Sequence, residues 1–241
     1  MHTLILVMCC DKVNTEMKTI YEEQWEAHWN SLSDKRRFFN YFVEWYRGNI
    51  IANAVQYYFE MYFPLEGALV ECGCGTAQSS SKVLKAKRNL IGLDINLTAI
   101  KSAKKNKNIL DYVQADIFSL PFKNSSLAGV WNLGVLEHFN EPEIKNILLE
   151  FNRVTKPNGV VILWWPPRYG ATVLFLSVIE KAYYLITRKQ YYFFPNEPSR
   201  LKGKVHLANL IEGTGFFVEA NYFSLRDLFT YVVVVLRKKQ N

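Results

Sequence analysis

From residue 66 onward, short apolar runs alternate with longer stretches whose apolar positions recur every three or four residues. The short runs read as buried strands at 68–72, 89–94, 111–115, 127–133, 160–165, 217–223 and 231–236. The longer stretches read as helices at 77–86, 98–105, 142–154 and 206–212. Pro142 falls in the first turn of its helix, where a missing N–H costs nothing, and Pro166-Pro167 stops the fifth strand. Strand and helix in alternation imply a parallel sheet covered by helices on both faces. Residues 15–63 have another texture, with aromatics among charges and no proline before Pro64. That pattern predicts two or three amphipathic helices, one of them starting near Asp34 behind a Ser31 or Ser33 cap.

Residues 168–204 break the alternation and read as an insertion. Seven Lys/Arg (168, 181, 188, 189, 200, 202, 204) stand there against Glu180 and Glu197, among many tyrosines and phenylalanines. Within it, 171–186 is apolar enough for a helix buried on most faces. Three readings compete: a lid over a substrate pocket, a membrane-surface helix serving a lipid-linked substrate, and a stacking surface for nucleic acid, which is the least favoured.

Length and composition bound the picture. A chain of 241 residues, 49% hydrophobic and 21% charged, fits one α/β domain with appendages and excludes intrinsic disorder. The formal charge of +7 suits anionic partners or a solvated basic surface without choosing between them. Four cysteines, the adjacent Cys9 and Cys10 and the CxC pair Cys72 and Cys74, make neither a zinc ligand set nor a disulfide framework. Reduced thiols and a cytoplasmic protein are therefore expected. The apolar run 4–8 is short and lacks a basic leader, and no run approaches the ~18 apolar residues of a membrane helix.

The chemistry concentrates after the first strand, in Glu71-Cys72-Gly73-Cys74-Gly75-Thr76-Ala77. Glycine is needed where a chain turns sharply and a ligand approaches backbone. Asp94 closes the next strand 21 residues after Gly73, where folds of this kind set an acid on a ribose diol. Gln78 stands where a nicotinamide fingerprint needs its third glycine, so a pyrophosphate-binding dehydrogenase is disfavoured. A second acid, Asp116, follows the third strand. Either acid also reads as a helix or turn cap, and the two roles can coexist.

These segments resemble the class I S-adenosylmethionine-dependent methyltransferases. LVECGCGTA resembles that family's first motif, IGLDIN its second, VQADIFSLPF its third, GVWNLGVLEHF the segment after its fourth strand and KPNGVVILWWP its fifth strand. The likeness covers about residues 65–165, and more weakly 205–237 through HLANLIEGTGFFVEANYF. It implies a Rossmann-like, doubly wound, mostly parallel α/β sheet of seven strands with an antiparallel last strand. Helices 1–64 would form an N-terminal extension or cap, and 65–241 the domain, with an inserted helical lid at 168–204. By the same likeness S-adenosylmethionine is the cofactor. Glu71 would hold its amino group, and Gly73, Cys74 and Gly75 would form the loop beneath it. Asp94 with Ile95 would take the ribose, Asp116 with Ile117 the adenine, and Asn132 with Leu133 the methionine part. Ala77 stands where many members carry a third glycine.

Glu137 and His138 are the catalytic candidates, since a carboxylate or imidazole near a transferred methyl can act as a general base. Both also read as a helix cap or loop anchor. Metal-dependent small-RNA end methylators carry a glutamate where this chain has Gly134, so no metal is expected. The acceptor implied is a small or lipid-linked molecule, with peripheral membrane contact through 168–204. The rival readings are an RNA or protein methyltransferase using the basic aromatic insertion, and a non-catalytic module that only binds the cofactor. Oligomeric state is left open. Among the aromatics of 15–63, Tyr21, Trp25 and Trp29 are candidates for closing over the cofactor.

Overall fold

The computed structural model describes residues 37–84, 87–188 and 197–240. Cys9, Cys10, Tyr21, Trp25, Trp29, the Ser31 or Ser33 cap and the aromatics of 191–194 lie outside the described residues.

Seven strands form one sheet in the order β3-β2-β1-β4-β5-β7-β6. They are β1 Glu66–Cys72, β2 Lys87–Asp94, β3 Asp111–Gln114, β4 Leu127–Leu133, β5 Thr155–Trp165, β6 Phe216–Tyr222 and β7 Val232–Lys238. β1 to β5 pair in parallel, and β7 enters antiparallel between β5 and β6. All seven expected strands are present, with ends shifted by a few residues. The fifth begins earlier, at Thr155, through an irregularity opposite 127–129.

The helices are α1 Arg37–Tyr46, α2 Ala52–Tyr62, α3 Leu97–Ala103, α4 Glu141–Val154, α5 Ala171–Thr187 and α6 Lys204–Ile211. Residues Arg47–Ile51 form a π-helical turn between α1 and α2. At the start of α4, the Asn140 side chain accepts from the Glu143 amide and Glu143 accepts from the Asn140 amide, so two otherwise orphaned N–H groups are satisfied reciprocally.

Two apolar cores lie on opposite faces of the sheet, because strand side chains alternate. On one face α4 and α6 bury Ile144, Leu148, Phe151 and Leu210 against Val70, Val130 and Val161. On the other, α2 buries Val55, Tyr58 and Phe59 against Leu69, Trp131 and Ile162. Each fully buried side chain of this kind contributes roughly 1.5–3 kcal/mol. The boundary at 64/65 thus falls between two elements of one core, and α2 is a covering layer of the sheet. Arg88 fastens it: fully buried, its guanidinium donates to Glu60, Pro64 O, Phe63 O and Leu84 O, and lies over the Phe59 ring.

Two expectations fail. Residues 77–84 form successive turns, not the helix expected over 77–86. Gln78-Ser-Ser-Ser81 offers hydroxyls that compete for backbone and side-chain partners, and Ser80 is drawn inward to a buried carboxylate. The apolar helix α5, expected to be buried on most faces, is exposed along most of its length, with Val178 67% and Ile186 83% accessible. Both faces of the sheet are already covered by α2, α4 and α6, and among the described residues no helix or strand packs extensively along α5.

Candidate active site

The sheet reverses its order between β1 and β4, and ligands of open α/β sheets bind at the carboxyl ends of the strands beside such a reversal. The loop Gly73–Ala77 leaves β1 there. Gly73 has φ +73°, and a Cβ on it would stand 2.4 Å from a Val135 methyl, so no other residue fits. The amides of Gly73 and Cys74 both donate to Leu93 O on β2, and the Ala77 amide donates to Cys74 O. Cys74 therefore shapes the loop from inside, its thiol buried and its pKa raised by burial. Ala77 also has positive φ, +53°, which explains why glycine suits that position in similar proteins.

Asp94 closes β2 directly beneath this loop. Its Oδ2 accepts from the Gly75 amide at 2.8 Å and its Oδ1 from the Asn96 amide at 2.9 Å. The carboxylate is thus fixed at both oxygens, with lone pairs left over for a ligand. Burial raises its pKa and the two amides oppose that rise. Ile95 follows, half-buried, its carbonyl held by the Gln114 side chain. Asp116 accepts from the Phe118 amide and shapes the turn after β3. Ile117 is buried in the core with Leu136 and Phe139.

Glu71, 2% exposed, accepts a 2.7 Å hydrogen bond from the Ser80 hydroxyl, which in turn receives the Trp131 indole N–H. Burial pushes the Glu71 carboxyl up to about 8, against the opposing pull of these donors. On β4, Asn132 donates to Cys72 O, while its buried Oδ1 has no hydrogen-bond partner. Leu133 beside it is core. A fixed carboxylate with spare lone pairs and a buried acceptor with nothing to accept call for a ligand rich in donors. A nucleoside diol and an ammonium group supply such donors, so these residues fit S-adenosylmethionine.

Beyond β4, Glu137 and His138 lie on a single 3-10 turn, Leu136–His138. Neighbouring side chains on such a turn point about 120° apart, so the two cannot address one spot. Glu137 is 4% exposed, its Oε2 lacks a partner, and burial pushes its carboxyl up to about 8. His138 is half-buried. Gly134 separates Glu137 from Tyr231: a Cβ there would stand 3.4 Å from Glu137 Oε1 and 3.3 Å from the Tyr231 hydroxyl. The buried Trp164 indole N–H, unpartnered, is on the adjacent strand β5. From the π-turn, Arg47 favours the charged forms of Glu71, Glu137 and Tyr231 together. Sequence reasoning missed Ser80, Tyr231, Trp164 and Arg47. Ser80 sits in an unpatterned serine run, and the other three gain meaning only from their neighbours in space.

Known proteins share this segment and this fold. The model of a family described as a methyltransferase domain matches residues 70–163. An uncharacterised protein of Methanocaldococcus jannaschii is 30% identical over 161 residues, 66% of this chain and 57% of that protein. The demethylmenaquinone methyltransferase of Renibacterium salmoninarum is 32% identical over 95 residues, 39% of each chain. The chain thus spans well under two thirds of the length of either relative. Among solved structures, magnesium protoporphyrin IX methyltransferase from Synechocystis, with bound S-adenosylhomocysteine, superposes with a TM-score of 0.64 at 16% identity, over 93% of this chain and 99% of that one. At that identity the superposition speaks for the fold, while the matched segment runs from β1, through the glycine loop and both acids, to β5. By motif, order and topology, residues 70–163 form a methyltransferase domain of the S-adenosylmethionine-dependent type.

Proposed function

We propose that this protein transfers the methyl group of S-adenosylmethionine to a small or lipid-linked acceptor by direct displacement. The observation that carries the reading is Asp94, pinned at both oxygens beneath the glycine loop at the sheet's reversal point. In this reading Asp94, with Ile95 beside it, holds the ribose hydroxyls, and Asp116 and the Ile117 backbone border the adenine. Asn132, Leu133 and Glu71 hold the methionine part, and Gly73, Cys74 and Gly75 form the floor. The cofactor supplies a sulfonium methyl that is already electrophilic, so the protein's task is positioning and exclusion of water.

In this reading the acceptor side lies around Gly134, next to Glu137 Oε1 and the Tyr231 hydroxyl, with Trp164 on the neighbouring strand. Its polar groups are buried and in part unpartnered, which suits a ligand with its own donor or acceptor. Glu137 is the favoured base there, taking the acceptor's proton when the nucleophile must lose one. His138, on another side of the turn, positions the loop. The N-terminal helices α1 and α2 serve as cover in this reading, and the positive charge of Arg47 on the turn between them bears on Glu71, Glu137 and Tyr231. The relative from R. salmoninarum is named for demethylmenaquinone, which supports a small-molecule acceptor here.

Calorimetry with S-adenosylmethionine tests the cofactor site. Asp94→Ala should weaken binding by roughly 1–3 kcal/mol, the loss expected for charge-assisted hydrogen bonds. Affinity equal to wild type would remove Asp94 from the site. A methyl-transfer screen over quinone, phenol and amine acceptors should find turnover; binding without transfer to any acceptor would favour a module that only holds the cofactor.

A further inference from the structure

We infer that α5 is a docking surface for an anionic lipid membrane, seating the protein with the carboxyl edge of its sheet toward the bilayer. The helix is 17 residues long, and its only charges are Glu180 and Lys181. At 100° per residue, Leu174, Phe175, Val178, Leu185 and Ile186 fall in one arc about 120° wide. All five are exposed, from 57% at Leu174 to 83% at Ile186. Ser177, Lys181, Tyr184 and Arg188 form a separate polar stripe. Val173, Ile179 and Glu180, half-buried, mark the side nearest the protein. An exposed apolar arc of this size, beside a basic stripe, is the pattern of a helix that lies in a membrane interface.

Charge selects the occupant. Lys181 and Arg188 border one side of the apolar arc, Arg168 lies just ahead of the helix, all three are exposed, and the 168–204 segment carries seven basic residues against two acidic. A second copy of this chain would bring those cations face to face, whereas anionic headgroups neutralise them. Exposed tyrosines at 169, 183 and 184 combine an apolar ring with a polar tip, as the headgroup level favours. Seventeen residues span about 25 Å, short of a ~30 Å hydrocarbon core, so the helix lies on the bilayer rather than across it. No helix among the described residues is long and apolar enough to cross a membrane. Five residues separate the end of β5 from the start of α5, at the same sheet edge as the Gly73 loop and Glu137. Docking there would bring the acceptor pocket to the lipid surface. The docking itself stands apart from the methyl-transfer reading.

Vesicle co-sedimentation of the full chain tests this without any measure of catalysis. Wild type should bind vesicles of phosphatidylglycerol and phosphatidylcholine, more weakly in high salt. The variant Lys181→Glu/Arg188→Glu should bind at least about twentyfold more weakly, from roughly fivefold for each basic residue lost. Phe175→Asp/Val178→Asp should abolish binding, with an unchanged far-ultraviolet spectrum and melting temperature, since both side chains are exposed. Wild type left in the supernatant, or binding retained by the apolar variant, would overturn the proposal. So would equal, salt-independent binding to pure phosphatidylcholine. A dimer in sedimentation velocity that the Asp variant dissolves, without vesicle binding, would assign the surface to a second copy instead.

Discussion

At the scale of single residues, the two glutamates Glu71 and Glu137 differ in what surrounds them. Glu71 has a hydroxyl donor in Ser80, while Glu137 keeps one oxygen buried without a partner. A base must be ionised to take a proton, and burial pushes the Glu137 carboxyl up to about 8. Methyl transfer to a protic acceptor should therefore speed up as the pH rises through about 8. Glu137→Gln should flatten that profile and lower kcat by roughly 10²–10⁴-fold, the usual worth of a positioned base. His138→Ala should cost less, because the 3-10 turn directs it elsewhere. A pH–rate profile identical in Glu137→Gln and wild type would exclude Glu137 as the base.

At the scale of elements, the strands were legible, whereas one expected helix is absent and another is present but not buried. A buried parallel strand announces itself as a valine- and isoleucine-rich run, whatever it packs against. The stretch 77–86 has helix-compatible spacing, yet Ser80 within it serves the buried Glu71 rather than a helix. The apolar face of α5 predicted burial, and the burial is missing because other helices occupy both faces of the sheet. α2 shows the converse: a helix expected in an appendage is a core layer, tied down by the buried Arg88. Arg88→Ala should lower the unfolding free energy by roughly 3–5 kcal/mol, since it leaves Glu60 and several carbonyls without their donor. Chemical denaturation measures this, and a loss under about 1 kcal/mol would mean α2 is held by its apolar contacts alone.

At the scale of the whole molecule, the buried acids link stability to pH. Glu71 and Glu137 stay protonated in the fold up to about pH 8, while their ordinary value is 4.5. Between those values the unfolded chain binds fewer protons than the folded one, so stability falls as the pH rises from about 4.5 to 8. Asp227, raised by burial to about 6, acts in the same direction over the lower part of that window. The cofactor-free protein should thus melt at least about 5 °C lower at pH 8 than at pH 5, and Glu71→Gln/Glu137→Gln should shrink the difference. A melting temperature that rises over this range in wild type would contradict the burial of both carboxyls. By itself, the sequence determined the strand count, the glycine loop and the two acids at strand ends, because strand periodicity, sharp turns and strand-terminal carboxylates are local properties of a chain. Only the tertiary structure decided that Glu137 and Tyr231 face each other across Gly134, that the positive charge of Arg47 bears on both glutamates, that α2 belongs to the core and that α5 stands exposed. Those facts depend on which side chains come together across long separations in sequence, and on which faces are already covered when the last element arrives.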